Sequence, residues 1–247
     1  MKIAAFTWIL NNDPYIKVWL KYYNQFGFDI FVINASKIKD HKEFDRYGVK
    51  VTELTRGDLY AKNEDGKCNK YEDLLFMAHA VQKRILKDYD YFVFSDIDEI
   101  IVTDPDKYKD LGEYMEKLDK DTVTCTGRQV LQSKDEESLD LDKPILGQRN
   151  HWWPHIAEWK TGISRIPLEW VSGFHYTLEI REGSKDSGID QGSYIKSLAD
   201  KGLYMVHLKT ADEKILFDRE NGALIRRERS AHMGDCKEIP ERFKGQL

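Results

Sequence analysis

Short apolar runs alternate with longer amphipathic stretches over the first hundred residues, and this alternation is the strongest constraint on the fold. The apolar runs have the length of β-strands and lie at residues 2–8, 29–35, 48–54 and 91–95. Residues 13–27 and 70–87 instead repeat apolar side chains at spacings of three and four, which is the helical period. Strands that alternate with helices predict a mostly parallel sheet with crossover helices on its faces. The sequence therefore predicts an α/β fold.

Helix signals bracket the first amphipathic stretch. Asp13 is a favoured N-cap residue, Pro14 suits the first helical position, and Gly27 suits the C-terminal stop. We therefore expect a helix between Asp13 and Gly27.

The second half of the chain has a less regular pattern. Its apolar runs predict four short strands, at residues 122–128, 163–166, 173–180 and 203–209. An aromatic-rich loop at 151–159 lies between them, a short helix is expected from about 190 to 201, and a charged helix is expected around 213–229. The sequence contains no internal repeat or linker, so we expect one domain.

Composition and charge argue against several classes of protein. The 247 residues carry a formal net charge of −5, which gives no electrostatic case for a nucleic-acid partner. No apolar run reaches the roughly 18 residues of a membrane span, and residues 1–10 are expected to form a buried strand rather than a signal peptide. The three cysteines are far apart without CxxC spacing, which predicts free thiols in a reducing, cytoplasmic compartment.

Three carboxylates follow the fourth predicted strand within four residues. They are Asp96, Asp98 and Glu99, directly after the apolar run 91–95. Ligands of parallel sheets bind beyond the carboxyl ends of the strands. On extended backbone Asp96 and Asp98 would share one face, where they repel each other unless a cation lies between them. Oxygen ligands favour Mg²⁺ or Mn²⁺, so the pattern predicts a metal site. A solvent-exposed acidic turn is the alternative.

These segments together resemble a known family. Residues 70–102, ending in YDYFVFSDIDEIIV, are similar to the DxD region of GT-A fold glycosyltransferases, especially small family-2-like enzymes of bacteria and large DNA viruses. Residues 6–36 resemble their nucleotide-binding unit, and 169–177 and 203–212 match later segments. The resemblance covers roughly residues 1–212. It implies a GT-A (Rossmann-like) fold, with a mostly parallel sheet, helices on both faces and a more irregular, acceptor-binding second half.

The resemblance also implies an organisation and an activity. Residues 1–105 would form the nucleotide-binding half, 106–211 the acceptor-binding and catalytic half, and 212–247 a charged tail. The enzyme would transfer a sugar from a nucleotide sugar, such as a UDP-sugar, to a glycan or glycoprotein acceptor, with Mn²⁺ or Mg²⁺ as cofactor. It would act in the cytoplasm, or in the host cytoplasm if it is viral, and the tail leaves peripheral membrane contact open.

Roles for the acidic residues follow from the same resemblance. Asp98 would bind the metal, and Asp96 would contact the sugar or ribose, often through water on the metal. The ion would offset the charge that the departing nucleoside diphosphate gains. Glu99 is expected to point into the protein as the partner of a cation.

Nucleotide contacts are expected near the ends of the first two strands. By resemblance, Thr7 and Asn34 would contact uridine. Arg56 and Lys70 are further candidates for the base or the diphosphate. Ordinary strand-end polar residues and exposed cations are the alternative for all four.

His207 is the candidate for a further metal or phosphate contact. A neutral imidazole at the end of an apolar strand can bind Mn²⁺, and a late histidine has this role in many GT-A enzymes. Lys209, two residues on, would pair with phosphates, and His175 is a weaker candidate. A buried structural histidine is the alternative. The HWWPH segment at 151–155 is expected to stack on sugars or pack in the core rather than bind zinc.

The general base is expected to be Asp190, with Glu158 as the reserve. Asp190 lies at close to the separation from Asp98 that the family shows, and a carboxylate can take the acceptor's proton. An ordinary helix N-cap is the alternative for Asp190. A base implies single displacement with inversion, although the neighbouring Gln191 makes a DQG sequence that also occurs in retaining enzymes.

Two other classes of protein compete with this interpretation. Haloacid-dehalogenase-like phosphotransferases also place DxD after an apolar strand, but they usually continue with Gly-Thr, where this chain has Glu99 and Ile100. A non-catalytic carbohydrate-binding protein would use the Trp-rich loop but would leave the acidic strand end unexplained.

Overall fold

The computed structural model describes seven stretches of the chain: residues 1–9, 13–36, 42–53, 70–154, 159–171, 174–220 and 236–247. Two predicted site residues, Arg56 and Glu158, lie outside these ranges, as does the predicted tail helix beyond residue 220. Lys70 is described as the first residue of a helix, without its side chain.

The described residues form ten strands and seven helices. The strands are β1 Ile3–Ile9, β2 Asp29–Asn34, β3 Lys50–Glu53, β4 Tyr91–Phe94, β5 Glu99–Thr103, β6 Thr122–Leu131, β7 His151–Trp153, β8 Thr161–Ser164, β9 Ala199–His207 and β10 Lys237–Glu238. The helices are α1 Ile16–Asn24, α2 Lys42–Arg46, α3 Lys70–Ile85, α4 Leu111–Lys117, α5 Leu178–Ser187, α6 Gln191–Leu198 and α7 Glu213–Glu220.

The strands form one mixed sheet. Its parallel part has the order β3-β2-β1-β4, and β8, β6, β7 and β10 continue it in antiparallel pairs. Strand β9 pairs parallel with β6 and antiparallel with β5. The predicted α/β class is confirmed, and the arrangement is compatible with a Rossmann-like fold. Because β2 and β4 lie on opposite sides of β1, the strand order reverses between β1 and β4.

Helices cover both faces of the sheet. Ile3, Ala5 and Ile9 of β1 belong to the apolar cluster that α1 joins, whereas Ala4 and Phe6 belong to the cluster that α3 joins. Neighbouring strand residues point to opposite faces, so a strand buried on both sides must be apolar throughout. This explains why the first predicted strands are nearly unbroken apolar runs.

Aromatic side chains of α1 anchor the carboxyl end of β4. The Trp19 indole N–H donates to Ser95 Oγ at 2.9 Å, and the Tyr23 hydroxyl lies 3.2 Å from the same oxygen. The Ile101 amide of β5 donates to the Tyr23 hydroxyl at 3.0 Å. Burial raises the pKa of Tyr23, so its hydroxyl stays neutral inside the core. The network therefore fixes both strands that flank residues 96–98.

One sequence prediction in the second half is wrong. Residues 173–180 were expected to be a strand, but helix α5 begins at Leu178. Thr177 caps its first turn by accepting from the Ile180 amide at 3.3 Å, and Gly188 ends it with a φ of 67°. These two caps outweigh the apolar alternation of the segment.

Smaller differences concern boundaries and short elements. Helix α1 begins at Ile16, because the Asp13 carboxylate accepts from the Tyr15 amide at 2.9 Å in a turn that precedes the helix. The link expected before the third strand contains α2, and the loop expected at 151–159 begins with strand β7.

We predict that Ser95→Ala lowers the free energy of unfolding by about 1–3 kcal/mol, because the buried Trp19 indole N–H loses its acceptor and the Tyr23 hydroxyl loses its hydrogen-bond partner. Chemical denaturation measures the change. Ser197→Ala is the matched control, since this exposed serine bonds only within its own helix, and its effect should stay within about 0.5 kcal/mol. Equal effects of the two substitutions would contradict the anchoring role of Ser95.

Candidate metal and nucleotide site

The acidic cluster lies in a turn between β4 and β5, at the carboxyl end of β4. The Glu99 amide donates to the Asp96 carbonyl at 2.9 Å, which closes the turn. The sequence placed Asp96 and Asp98 on one strand face, but the turn directs their side chains to different partners, Lys160 and His207. Because β1 and β4 are the strands at which the order reverses, the turn borders the crevice where such sheets bind ligands.

A buried lysine pairs with the first carboxylate of the turn. Lys160 is 1% exposed, and its Nζ lies 2.9 Å from Asp96 Oδ2 and 2.5 Å from Glu99 Oε1. The other oxygen of Glu99 accepts from the Asp96 amide at 3.2 Å. Glu99 therefore points inward to a cation, as predicted. The single ammonium of Lys160 therefore offsets one of the two charges on Asp96 and Glu99.

The second carboxylate of the turn faces the predicted histidine. Asp98 Oδ2 lies 3.3 Å from His207 Nε2. Strand pairing brings them together, because His207 of β9 is opposite Glu99 of β5 and beside Gln129 of β6. The structure thus joins two residues that the sequence predicted as metal ligands.

Hydrogen bonds behind His207 determine its tautomer. The Thr210 hydroxyl donates to the Val130 carbonyl at 2.7 Å, so it accepts from the Gln129 amide group at 2.8 Å. The side-chain oxygen Oε1 of Gln129 then faces His207 Nδ1 at 2.7 Å. Because this oxygen can only accept, Nδ1 carries the proton. In neutral His207 the Nε2 lone pair therefore points at Asp98. Two acceptors in this arrangement call for a proton or a cation between them.

The Asp98–His207 pair fits a divalent ion. Histidines that bind metals usually donate their other ring N–H to a fixed acceptor, as His207 does to Gln129. Adjacent ligands of an octahedral ion with bonds of about 2.0–2.1 Å lie about 3 Å apart, close to the observed 3.3 Å. Imidazole and carboxylate donors are compatible with Mn²⁺. Within the described ranges no three His, Cys, Asp or Glu side chains group as metal ligands, so water and substrate oxygens would complete the shell.

Three buried polar atoms near the carboxyl ends of β1 and β4 have no hydrogen-bond partner among the described residues. They are Thr7 Oγ1, Trp8 Nε1 and Asp96 Oδ1, and six further atoms of this kind belong to other residues in the described ranges. Buried polar atoms normally have partners, so these three are available to a ligand. Thr7 was predicted to contact the nucleotide, whereas Trp8, on the opposite face of β1, was not.

Asn34 has several protein partners at the end of β2. The side-chain oxygen Oδ1 of Asn34 accepts from the Ser36 backbone amide at 3.1 Å and from the Ser36 hydroxyl at 2.7 Å. Its side-chain nitrogen Nδ2 donates to the Glu53 carboxylate at 3.0 Å. These bonds hold the ends of β2 and β3 together. Its contact with uridine stays a prediction.

Asp190 occupies the N-cap of α6. Its exposed carboxylate accepts from the Ser193 amide at 3.0 Å, and hydrogen bonds from Ser193 lower its pKa. No hydrogen bond or ion pair joins Asp190 to the acidic turn in the described part of the chain. Lys196 of the same helix lies 5.7 Å from the ring centroid of Trp159, which precedes Lys160 in the chain. Lys209 is half-buried beyond β9.

Phe174 is a strained residue beside the crevice that the sequence did not reveal. Its φ of 60° is unusual for a bulky residue, and its ring is 6.1 Å from Trp8 and 5.4 Å from Phe94. It therefore packs at the carboxyl ends of β1 and β4. The half-buried candidate His175 follows directly, and strained residues cluster at functional sites.

A separate cavity of about 420 Å³ lies against the outer side of α1. Its walls include Lys21, Tyr22 and Asp110 together with residues 141–144 and 245–247. None of the acidic-turn residues lines it, so it is distinct from the predicted metal site. We place the candidate site by its chemistry and by the strand order.

Comparison of the chain with protein-family models and with curated proteins finds no match. The described helices include none with the length and apolarity of a membrane span.

We predict that Gln129→Leu weakens Mn²⁺ binding by about 10–100-fold, because His207 loses the acceptor that fixes its tautomer. Electron paramagnetic resonance of free Mn²⁺ measures the affinity. Gln148→Leu is the control, since Gln148 bonds to residues 140–144 rather than to His207, and it should leave the affinity unchanged. Normal Mn²⁺ affinity in Gln129→Leu would argue against His207 as a ligand.

Proposed function

We propose that the protein is a metal-dependent glycosyltransferase that takes a sugar from a nucleotide sugar, in the first instance a UDP-sugar. The observation that carries the proposal is the Asp98–His207 pair at the carboxyl end of β4, where the strand order reverses. The Asp98 carboxylate suits Mn²⁺ or Mg²⁺, and the His207 imidazole favours Mn²⁺ of the two. The buried polar atoms of Thr7, Trp8 and Asp96, at the carboxyl ends of β1 and β4, are further groups that a ligand at this end of the sheet would use.

The strand order supports the finer assignment to a GT-A fold. The parallel order β3-β2-β1-β4, followed by antiparallel β8, puts the acidic turn after the fourth strand. The parallel half would bind the nucleotide, and the strands and helices from β6 to β9 would complete the acceptor side.

Each residue of the site would have a separate task. Asp98 and His207 would hold the ion, which when bound offsets the charge on the leaving diphosphate. The Oδ1 atom of Asp96 would accept a hydrogen bond from a sugar or ribose hydroxyl, since its other oxygen is bonded to Lys160. Trp8 would offer its indole N–H to the same ligand. Asp190 would accept the acceptor's proton.

The chemistry favours inversion through a single displacement. A carboxylate base within reach of the acceptor hydroxyl removes its proton as the hydroxyl attacks the anomeric carbon. The hydrogen bonds from Ser193 lower the pKa of Asp190 and make it a weaker base in the absence of substrate.

The sugar acceptor would be a glycan or glycoprotein, and the enzyme would act in the cytoplasm.

We predict that the protein hydrolyses or transfers from at least one nucleotide sugar in a Mn²⁺-dependent way, and that Asp98→Ala abolishes this turnover. A screen of donor hydrolysis over UDP-, GDP- and CMP-sugars measures it. Asp104→Asn is the control, because this buried aspartate pairs with Arg242 at 3.0 Å instead, and it should retain activity. Normal turnover by Asp98→Ala would refute the mechanism. Mn²⁺-independent phosphate release from a simple phosphoester would favour the phosphotransferase alternative.

Substitutions of Asp190 separate catalysis from helix capping. Asparagine caps helices as well as aspartate does, so Asp190→Asn should keep stability and UDP binding while turnover falls at least about 100-fold. Asp190→Ala should in addition cost about 1 kcal/mol of unfolding free energy. Turnover assays, UDP titration and denaturation measure the three quantities. Full activity of Asp190→Asn would remove Asp190 from the mechanism and leave its capping role.

A further inference from the structure

The fold fixes both the backbone and the side chain of Lys160. Its carbonyl accepts from the Cys125 amide of β6 at 2.8 Å, directly before β8 pairs with β4 and β6. The backbone is thus fixed between two strands, and the side chain is buried against the acidic turn, with 1% exposure. A lysine is seldom buried to this extent unless it is paired.

The charges around Lys160 divide into two groups. Its ammonium contacts Asp96 Oδ2 at 2.9 Å and Glu99 Oε1 at 2.5 Å. Asp98 is directed to His207 instead. Lys160 therefore offsets part of the charge on Asp96 and Glu99, while Asp98 faces His207. Without Lys160, the buried Glu99 and the half-buried Asp96 would lose this cation and repel each other.

We infer that Lys160 is a positioning residue that keeps the acidic turn folded before metal arrives and leaves Asp98 and His207 as the ligands. This inference rests on the metal site of the proposed function. Lys160 is an internal cation that offsets part of the negative charge of the acidic turn. Without it, the metal alone would have to offset that charge. The turn is then preorganised, and metal binding requires no refolding of it.

The test compares metal-free stability with the response to Mn²⁺ in wild type and in Lys160→Met. The metal-free Tm of Lys160→Met should fall by about 10 °C, because it buries carboxylates without their counter-charge. Saturating Mn²⁺ should then raise the Tm by at least about twice the wild-type increment, since the ion relieves the repulsion between carboxylates that Lys160 no longer offsets. Differential scanning calorimetry with and without Mn²⁺ measures both quantities.

Two matched variants separate positioning from general destabilisation. Arg149→Met removes another buried cation, which lies 3.8 Å from Asp212 and 3.9 Å from Glu136. It should lower the Tm and leave the Mn²⁺ increment as in wild type. Lys160→Met combined with Glu99→Gln restores the net charge of the turn. It should recover most of the lost Tm and return the increment towards wild type.

The possible outcomes separate a failure of the proposed metal site from a failure of the proposed role of Lys160. No Mn²⁺ increment in wild type would overturn the metal site and, with it, the role of Lys160. A wild-type increment that is unchanged in Lys160→Met would overturn the role of Lys160 alone. If Lys160→Met does not fold, the double variant decides. A folded double variant with a wild-type increment supports the inference, and a double variant that also fails to fold contradicts it.

Discussion

A turn with three carboxylates in four residues, two of them buried, needs partners that offset or share its charge, and the second half of the chain provides them. The segment before β8 brings Lys160 to Asp96 and Glu99, and the end of β9 brings His207 to Asp98. The parallel half of the sheet offers the turn at the end of β4, but it contributes neither partner. The acidic turn therefore links the two halves of the chain, beside the strand at which the sheet becomes mixed.

The same turn is held rigidly from its flanks. Trp19 and Tyr23 of α1 bond to Ser95 on one face of the sheet, and Phe174 packs on Phe94 from the other. A site that must hold a small ion needs such support, because misplacing a ligand by 1 Å is enough to lose function.

Much of the fold follows from local patterns in the sequence. The apolar runs at β1, β2 and β4 and the helical period at α1 and α3 depend on nearby residues, so the parallel half could be predicted. Helix α5 could not, because Thr177 and Gly188 decide it as caps, while its apolar residues suggested a strand. Asp98 and His207 were identifiable by residue type and by their place at strand ends. Lys160 and Gln129 were not, since their importance arises from strand pairing between β4, β6, β8 and β9, which no short segment of sequence encodes.

The most direct test of the account is a crystal soaked with Mn²⁺ and UDP, with anomalous diffraction data collected to locate manganese. The account predicts one manganese peak within coordination distance of both Asp98 and His207 Nε2, with the UDP diphosphate beside it in the crevice between β1 and β4. Lys160 should still contact Asp96. A nucleotide bound elsewhere, or a manganese peak away from this pair, would contradict the account.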